Sequence, residues 1–278
     1  VLASRAVVGF WPRRRARETP PPAFGLEDAR VRQFAEEGWL VFDTGAPDAL
    51  LDGIREDLAG LYPDPPSPDG FQGATRVQDA WKSCRRVQRL ATWPAVLAQL
   101  RQLYGREPLP FQTLNFPVGT EQPAHSDTVH FNSAPPGFMC GVWVALEDVH
   151  PDSGPLAIYP GSHRLPEFSL ADSGVVAEAE EPLDEYQARH YPTFEAFMRR
   201  LIEQEGLQPI TVPLGKGQAL VWAANLLHGG SARNDPRLTR HSQVTHYFFN
   251  GCRYYTPVLT RGTQIVWRDP EFIPRLDT

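Results

Sequence analysis

Ala219-Leu220-Val221-Trp222-Ala223-Ala224-Asn225-Leu226-Leu227-His228-Gly229-Gly230 is a short apolar strand that runs into a glycine-rich turn with a histidine at its end. Runs of the same kind recur on both sides: Phe111 to Phe116, Phe138 to Leu146, Ala157 to Tyr159, Ile210 to Val212, Ser242 to Phe249 and Thr263 to Trp267. Each is too short for an ordinary helix and is bounded by turn residues, which is the pattern of strands joined by tight connections. The expected core is therefore an antiparallel sandwich or barrel, and the chain is mainly β with flanking helices. Between residues 165 and 208 the strand pattern is interrupted. That segment is acidic from Glu178 to Glu185 and then has helical spacing through Phe194, Phe197, Met198 and Leu201. Two readings fit it: a lid inserted between strands over the mouth of a barrel, since long ordered loops are usually functional, or a surface helix covering a sheet edge.

Upstream of the strands the periodicity is helical. Val31, Phe34 and Ala35 recur at helix spacing until Gly38, after which Trp39-Leu40-Val41-Phe42 reads as a strand. A second helix is expected from Asp48, with Leu50, Leu51, Ile54, Leu58 and Leu61 on one face and Pro63 ending it; a third is expected from Trp93 to Tyr104. Pro63 to Gly73 reads as a loop, and residues 1–25, ending in Pro20-Pro21-Pro22, as an extended arm. Residues 26–278 are expected to form one domain, because β sandwiches and barrels of this length are common as single units.

Apolar residues make up 41% of the chain and charged residues 22%, enough to bury a large core. The formal net charge of -6 argues against nucleic acid, which wants clustered Lys and Arg, and the run Arg13-Arg14-Arg15 sits in the proline-rich arm. No stretch has the length and apolarity of a membrane span or a signal-peptide core. Cys84, Cys140 and Cys252 have no CxxC spacing and suggest neither a disulfide framework nor a zinc site, so a reducing, cytoplasmic setting is expected.

In His125-Ser126-Asp127 the first and third side chains of an extended segment point the same way and can reach one metal. A rival triplet, His150-Pro151-Asp152, is followed by Ser153-Gly154-Pro155 and reads instead as a turn in which Asp152 caps its own loop. The distant His228 supplies a third ligand to the first pair. Two histidines and one carboxylate leave adjacent coordination positions open, the arrangement of O2-activating non-haem iron. A bidentate 2-oxo acid takes two of them and O2 another, whereas a closed zinc site offers none. The far carboxylate of such a cosubstrate needs a fixed guanidinium. Of Arg233, Arg237 and Arg240, the first two flank the turn Asn234-Asp235-Pro236, while Arg240 and Ser242 lie two apart and face one side.

His125-Ser126-Asp127, Gly154-Pro155-Leu156, Pro160-Gly161-Ser162-His163-Arg164, His228-Gly229 and Arg240-His241-Ser242, in this order, resemble the phytanoyl-CoA dioxygenase family, which includes ectoine hydroxylase. The resemblance runs from about Glu36 to Phe249 and rests on the set, since no one motif is specific alone. It implies a double-stranded β-helix (a cupin-like jelly roll), Fe(II), and 2-oxoglutarate with O2. It also implies His125, Asp127 and His228 as iron ligands, Arg240 with Ser242 as the 2-oxoglutarate clamp, and Asn115 and Trp143 as residues lining the cosubstrate pocket. His163 is expected to form a turn or support the site from outside. Related halogenases replace the carboxylate ligand with a small residue; Asp127 is present here, so hydroxylation of a small-molecule C–H bond, with release of succinate and CO2, is the expected outcome. Two other readings stand beside it, a zinc hydrolase on the same ligands and a non-catalytic barrel that only binds. The identity of the substrate is not written in these motifs.

Overall fold

In the computed structural model, residues 29–62, 76–175, 182–260 and 264–276 are described. The expected arm at 1–25, the loop from Pro63 to Gly73 and most of the acidic stretch near Glu178 lie outside them. Val31 and Phe34, one helical turn apart, are the residues that α1 (Ala29–Glu37) buries. The chain then turns at Gly38 into β1 (Trp39–Asp43). In α2 (Asp48–Leu58), Leu50, Leu51, Ile54 and Leu58 form the buried stripe. Leu61, expected on that stripe, lies beyond the helix end and is 53% exposed. A two-residue strand β2 (Val77–Gln78) precedes α3 (Arg85–Ala91), a helix not expected from the sequence because seven residues make fewer than two turns and show too little periodicity. Then α4 (Pro94–Tyr104) starts with a proline at its first turn, where the missing N–H costs nothing.

The strands follow as β3 (Pro108–Phe116), β4 (Asn132–Ala134), β5 (Met139–Ala145) and β6 (Leu156–Ile158). After them come α5 (Leu183–Gln204), β7 (Ile210–Val212), β8 (Gln218–Ala223), β9 (His228–Gly230), β10 (Ser242–Phe249), β11 (Arg253–Tyr255) and β12 (Trp267–Arg268). The apolar run expected up to Trp267 gives only this last short strand, and Ile265 and Trp267 stay exposed.

A six-stranded antiparallel sheet, in the order β1-β8-β5-β10-β3-β2, faces a three-stranded sheet, β7-β6-β9. Alternation along each strand divides the core in two. Val142, Val144, Ala219, Val221, Tyr247 and Phe249 turn outward and pack on Leu51, Ile54, Leu58, Val87, Leu97 and Leu100 of the helices. Trp143, Ala145, Leu220, Trp222 and Val244 turn inward and meet Leu156, Ile158 and Val212 of the smaller sheet. The strands of the large sheet are thus apolar on both sides, which is why β5 reads as one unbroken run instead of an alternation. Two facing sheets closed around an inner core, with helices backing one of them, form the double-stranded β-helix.

The interrupting segment is anchored to this barrel. Tyr186, Phe194, Phe197 and Met198 of α5 form one buried cluster with Val129, Leu227 and Val258. Since Leu227 adjoins His228 and Val129 lies two residues past Asp127, α5 packs at the end of the barrel that carries those residues.

Candidate metal and cosubstrate site

The site is built from the backbone outward. His228 begins β9, and His125 pairs with it, each residue's N–H donating to the other's carbonyl at 2.9 Å. Two glycines permit this close approach: a Cβ on Gly229 would stand 2.7 Å from the carbonyl oxygen of Gln122, and one on Gly230 would stand 2.6 Å from the backbone nitrogen of Glu121. Asp127 opens a 3-10 turn, Asp127–Val129, whose first N–H donates to the Ala224 carbonyl just beyond β8. His125, Asp127 and His228 are all buried.

Each histidine is fixed by a carbonyl. His125 Nδ1 lies 2.9 Å from the Pro123 carbonyl, and His228 Nδ1 lies 2.9 Å from that of Leu226. A carbonyl only accepts, so Nδ1 carries the proton and Nε2 is left as an acceptor, which in His125 lies 3.3 Å from the side-chain nitrogen of Gln122. Both Nε2 atoms then face Asp127 Oδ1, at 3.9 Å from His125 and 3.8 Å from His228. These gaps exceed a hydrogen bond. They suit one cation at the roughly 2.0–2.2 Å that imidazole nitrogen and carboxylate oxygen take to a divalent metal. The three donor atoms lie within 4.8 Å of one another.

Burial, with His228 second, pushes His125 down to about 3, so its ring is neutral near neutral pH, as a metal ligand must be. Burial pushes the Asp127 carboxyl up, but His228, His246, His125 and the Trp222 indole together hold it below the ordinary value. The other carboxylate oxygen, Oδ2, accepts a 2.8 Å hydrogen bond from Trp222 Nε1. Trp222 can occupy that position because its strand partner is Gly141, where a Cβ would meet the indole at 2.1 Å. Gly141→Ala is therefore expected to lower stability by about 1–3 kcal/mol through overpacking and to pull the indole from Asp127. A denaturant midpoint that falls at unchanged slope, with weakened metal retention, is the result to look for.

Arg240 is 2% exposed and donates from one terminal nitrogen to the Gly154 carbonyl at 2.7 Å. Burial, with a smaller contribution from Arg233, pushes its guanidinium down to about 10, which leaves it charged at neutral pH. Among the described residues its Nε, Ser242 Oγ and Trp143 Nε1 are buried with no hydrogen-bond partner. A buried polar group without a partner costs about 1–3 kcal/mol. Arg240 and Trp143 line the cavity, where a carboxylate would satisfy their donors, so these two fit the expected cosubstrate; Ser242 is not among the described residues that line it. Trp143 lines the cavity, with the Arg240 guanidinium carbon 5.5 Å from its ring centre.

The structure corrects the expectation for Asn115. Gln112, Leu114 and Phe116 of β3 face the cavity; Asn115, of the opposite parity, points to the helix side and donates to Gln243, which in turn donates to the Val87 carbonyl of α3. His150-Pro151-Asp152 forms a surface 3-10 turn in which the Asp152 N–H donates to His150 Nδ1. Arg237 is held by Asp235 at the surface. Within Pro160-Gly161-Ser162-His163-Arg164, Ser162 Oγ accepts from the N–H of Leu227, next to His228, and His163 Nε2 lies 3.2 Å from the Ala35 carbonyl. That motif braces the metal-facing strand from behind.

The cavity, about 650 Å³, also holds residues that the motifs did not reveal. His246 Nε2 stands 3.7 Å from Asp127 Oδ2, and His246 Nδ1 is 2.9 Å from Gln112 Oε1. Its signal was present, because Arg240, Ser242, Val244 and His246 share one parity along β10. Tyr191 of α5 lies 3.1 Å from His130 Nε2, and with Gln187 carries the inserted helix into the wall. Arg76 and Arg268 line it as well, from segments that offered no pattern.

The family profile described as phytanoyl-CoA dioxygenase (PhyH) matches residues 34–242. The ectoine dioxygenase of Halomonas elongata is 31% identical over 237 residues, which are 76% of this chain and 67% of that protein. The peroxisomal phytanoyl-CoA dioxygenase of Homo sapiens is 21% identical over 253 residues, 80% of this chain and 69% of that one. Among solved structures, EctD from S. alaskensis with 2-oxoglutarate and 5-hydroxyectoine superposes at a TM-score of 0.62, with 19% identity, over 92% of this chain and 91% of that one. The 2-oxoglutarate-dependent epimerase SnoN from nogalamycin biosynthesis gives 0.61, with 21% identity, over 88% of this chain and 97% of that one. The likeness to the solved structures is one of fold.

Proposed function

Because the chain belongs to the phytanoyl-CoA dioxygenase family, we propose that His125, Asp127 and His228 hold its iron and that Arg240 and Ser242 anchor its 2-oxoglutarate. The chain is an Fe(II)- and 2-oxoglutarate-dependent dioxygenase. We further propose that it hydroxylates a C–H bond of a small molecule, that residues from 26 onward act as one oxygenase domain, and that it works in a reducing, cytoplasmic setting suited to its free cysteines. No helix among the described residues is long and apolar enough to cross a membrane.

The observation that carries the residue assignment is the pairing of an open three-donor cradle with a buried, charge-ready guanidinium in one cavity. When bound, iron and 2-oxoglutarate supply the oxidising power: with O2 the cosubstrate is converted to succinate and CO2 as one substrate C–H bond is oxidised. The protein orients and excludes. The Pro123 and Leu226 carbonyls fix the tautomers of His125 and His228, and Trp222 holds Asp127 Oδ2 so that Oδ1 faces both rings. Arg240 offers a planar fork that fits a carboxylate bidentately. Leu114, Phe116, Leu156 and Val244 line the cavity and keep water from the reacting centre. No side chain acts as acid or base in this scheme.

With Fe(II) and 2-oxoglutarate under anaerobic conditions, the protein is expected to show the weak visible charge-transfer band of a 2-oxo acid chelated to ferrous iron. His125→Ala and His228→Ala should each remove it. Full retention of the band in either variant would sink that ligand assignment.

A further inference from the structure

The extended segment that runs from Arg240 into β10 has two faces of different character. On the inner one, Arg240, Val244 and His246 line the cavity. On the outer one, where β5 and β8 set Val142, Val144, Ala219 and Val221 against the helices, this strand carries polar groups as well. Gln243 Nε2 donates to the Val87 carbonyl at 3.1 Å and Tyr247 Oη to the Ala91 carbonyl at 2.8 Å, both in α3. Gln243 and Tyr247 are buried. A buried hydrogen bond adds little net stability but is costly to break, so such ties fix where the strand lies more than they strengthen the core.

The outermost tie lies directly behind Arg240. One step past the last β5 pair, Ser242 with Ala145, the Leu146 N–H donates to the His241 carbonyl at 3.0 Å. In a hydrogen-bonded antiparallel pair the second rung would run back from the His241 N–H to the Leu146 carbonyl. A side chain takes that rung instead: the His241 N–H donates to Glu147 Oε1 at 2.7 Å. The other oxygen, Glu147 Oε2, is held at 3.1 Å by Arg55 of α2, and with only 15% of the Glu147 side chain exposed this pair is less screened than an ordinary surface ion pair. The His241 N–H belongs to the planar peptide unit that starts at Arg240. On the other side of the same Cα, the Arg240 N–H donates to the Pro117 carbonyl at 2.9 Å. The backbone of Arg240 is thus fixed from both sides, by the end of β3 and by a carboxylate tethered to the helical layer.

We propose that Glu147, held by Arg55, is a positioning residue for the cosubstrate clamp: it sets the peptide from which Arg240 reaches the distal carboxylate of 2-oxoglutarate. Glu147 acts through Arg240, from the far side of the strand. Bidentate pairing needs both guanidinium donors aligned with both carboxylate oxygens. A tilt of this one peptide therefore lowers affinity for the distal carboxylate and leaves the 2-oxo acid end of the cosubstrate untouched. The proposal rests on the assignment of Arg240 to 2-oxoglutarate.

The test uses the whole protein loaded with Fe(II) under anaerobic conditions, with two probes: 2-oxoglutarate, and pyruvate, a 2-oxo acid without the distal carboxylate. Affinities are read by titration of the visible charge-transfer band and by calorimetry, and iron retention by metal analysis after desalting. Glu147→Ala is expected to weaken 2-oxoglutarate about tenfold, the lower end of what losing a partner that orients a ligand costs, and to leave pyruvate and iron at their wild-type values. Glu147→Gln keeps an amide oxygen for the His241 N–H and should bring 2-oxoglutarate back to within about threefold of wild type, a neutral acceptor being weaker than a charged one. Arg55→Ala should act in the same direction as Glu147→Ala and stands in for it should that variant fail to fold. Leu51→Ala, in the core of the same helical layer, should lower the melting temperature and leave 2-oxoglutarate affinity unchanged, which separates position from stability. Wild-type affinity for 2-oxoglutarate in folded Glu147→Ala and Arg55→Ala, or an equal loss of pyruvate or of iron, would overturn the proposal. Arg240→Ala, run beside them, keeps the two readings apart. If it alone weakens 2-oxoglutarate, the clamp stands and the role of Glu147 fails; if it binds 2-oxoglutarate as wild type does, the clamp assignment itself fails and takes this proposal with it.

Discussion

Asp127→Ala is expected to lose its iron, while Asp152→Ala keeps it. Removing a residue that only orients a ligand typically costs 10–100-fold in metal affinity, and removing a ligand should cost more. The apo protein should hardly notice. Truncation leaves Trp222 Nε1 without its acceptor, a penalty of about 1–3 kcal/mol, but it also removes a carboxylate that is desolvated among three rings. These effects oppose each other. The metal-dependent part of stability has no such offset: a ligand at a hundred times its Kd adds about 2.7 kcal/mol, and that increment should vanish. Anaerobic thermal denaturation with and without Fe(II), together with metal analysis after desalting, separates the two. Equal iron retention in Asp127→Ala and wild type, with loss in Asp152→Ala, would transfer the carboxylate role to the surface turn. Trp222→Phe falls between them, with the ligand present but its second oxygen unheld.

The same residues show how far the sequence can be read. That His125 and Asp127 meet one centre was legible from their spacing, but the geometry that brings them together is different from the one expected. The chain is extended at His125, in a bridge to His228, and turns into a 3-10 helix at Asp127. Two residues of one flat strand could not meet Trp222 of β8 and Ala224 just beyond it as Asp127 does. Alternation was a sufficient clue and an incomplete account. For Asn115 it was the missing check. Residues 112, 114 and 116 share a face, so admitting the Leu and Phe of that set to the cavity assigns Asn115 to the helix side.

What remained hidden depends on contacts between segments remote in sequence. Arg76 precedes a two-residue strand, and Arg268 ends another, neither long enough to show a period. Tyr191 belongs to a helix whose amphipathic stripe announces packing without saying against what. Its contact with His130 exists because the barrel closes α5 over the turn that begins at Asp127. The central strands, α1, α2 and α4, by contrast, were visible because each carries its own periodicity or its own unbroken apolar run and is bounded by Gly or Pro.

Arg240→Ala is expected to weaken 2-oxoglutarate by about 2–5 kcal/mol, roughly 30- to 5000-fold, and to leave iron binding intact. The buried carboxylate of the cosubstrate would keep its desolvation cost and lose its charge-assisted partner. Arg240 donates one hydrogen bond to Gly154, yet its Nε, like Ser242 Oγ, has no described partner, and burial lowers the guanidinium to about 10. A carboxylate would give these donors a charge-assisted partner, so 2-oxoglutarate should raise the melting temperature of the iron-loaded wild type. Arg240→Ala should gain nothing from the same addition. Arg240→Lys should recover only part of the affinity, because an ammonium is a point charge without the planar fork. Ser242→Ala should cost less than Arg240→Ala, since it removes a neutral hydroxyl. Arg237→Ala is the control, its guanidinium held by Asp235 with 88% of the side chain exposed. Titration of 2-oxoglutarate into the anaerobic iron complex of each variant gives the order. If Arg237→Ala abolished binding and Arg240→Ala did not, the clamp would lie outside the barrel. If neither mattered, the three-donor cradle would have no cosubstrate anchor, and a hydrolytic zinc centre on His125, Asp127 and His228 would become the better reading of this cavity.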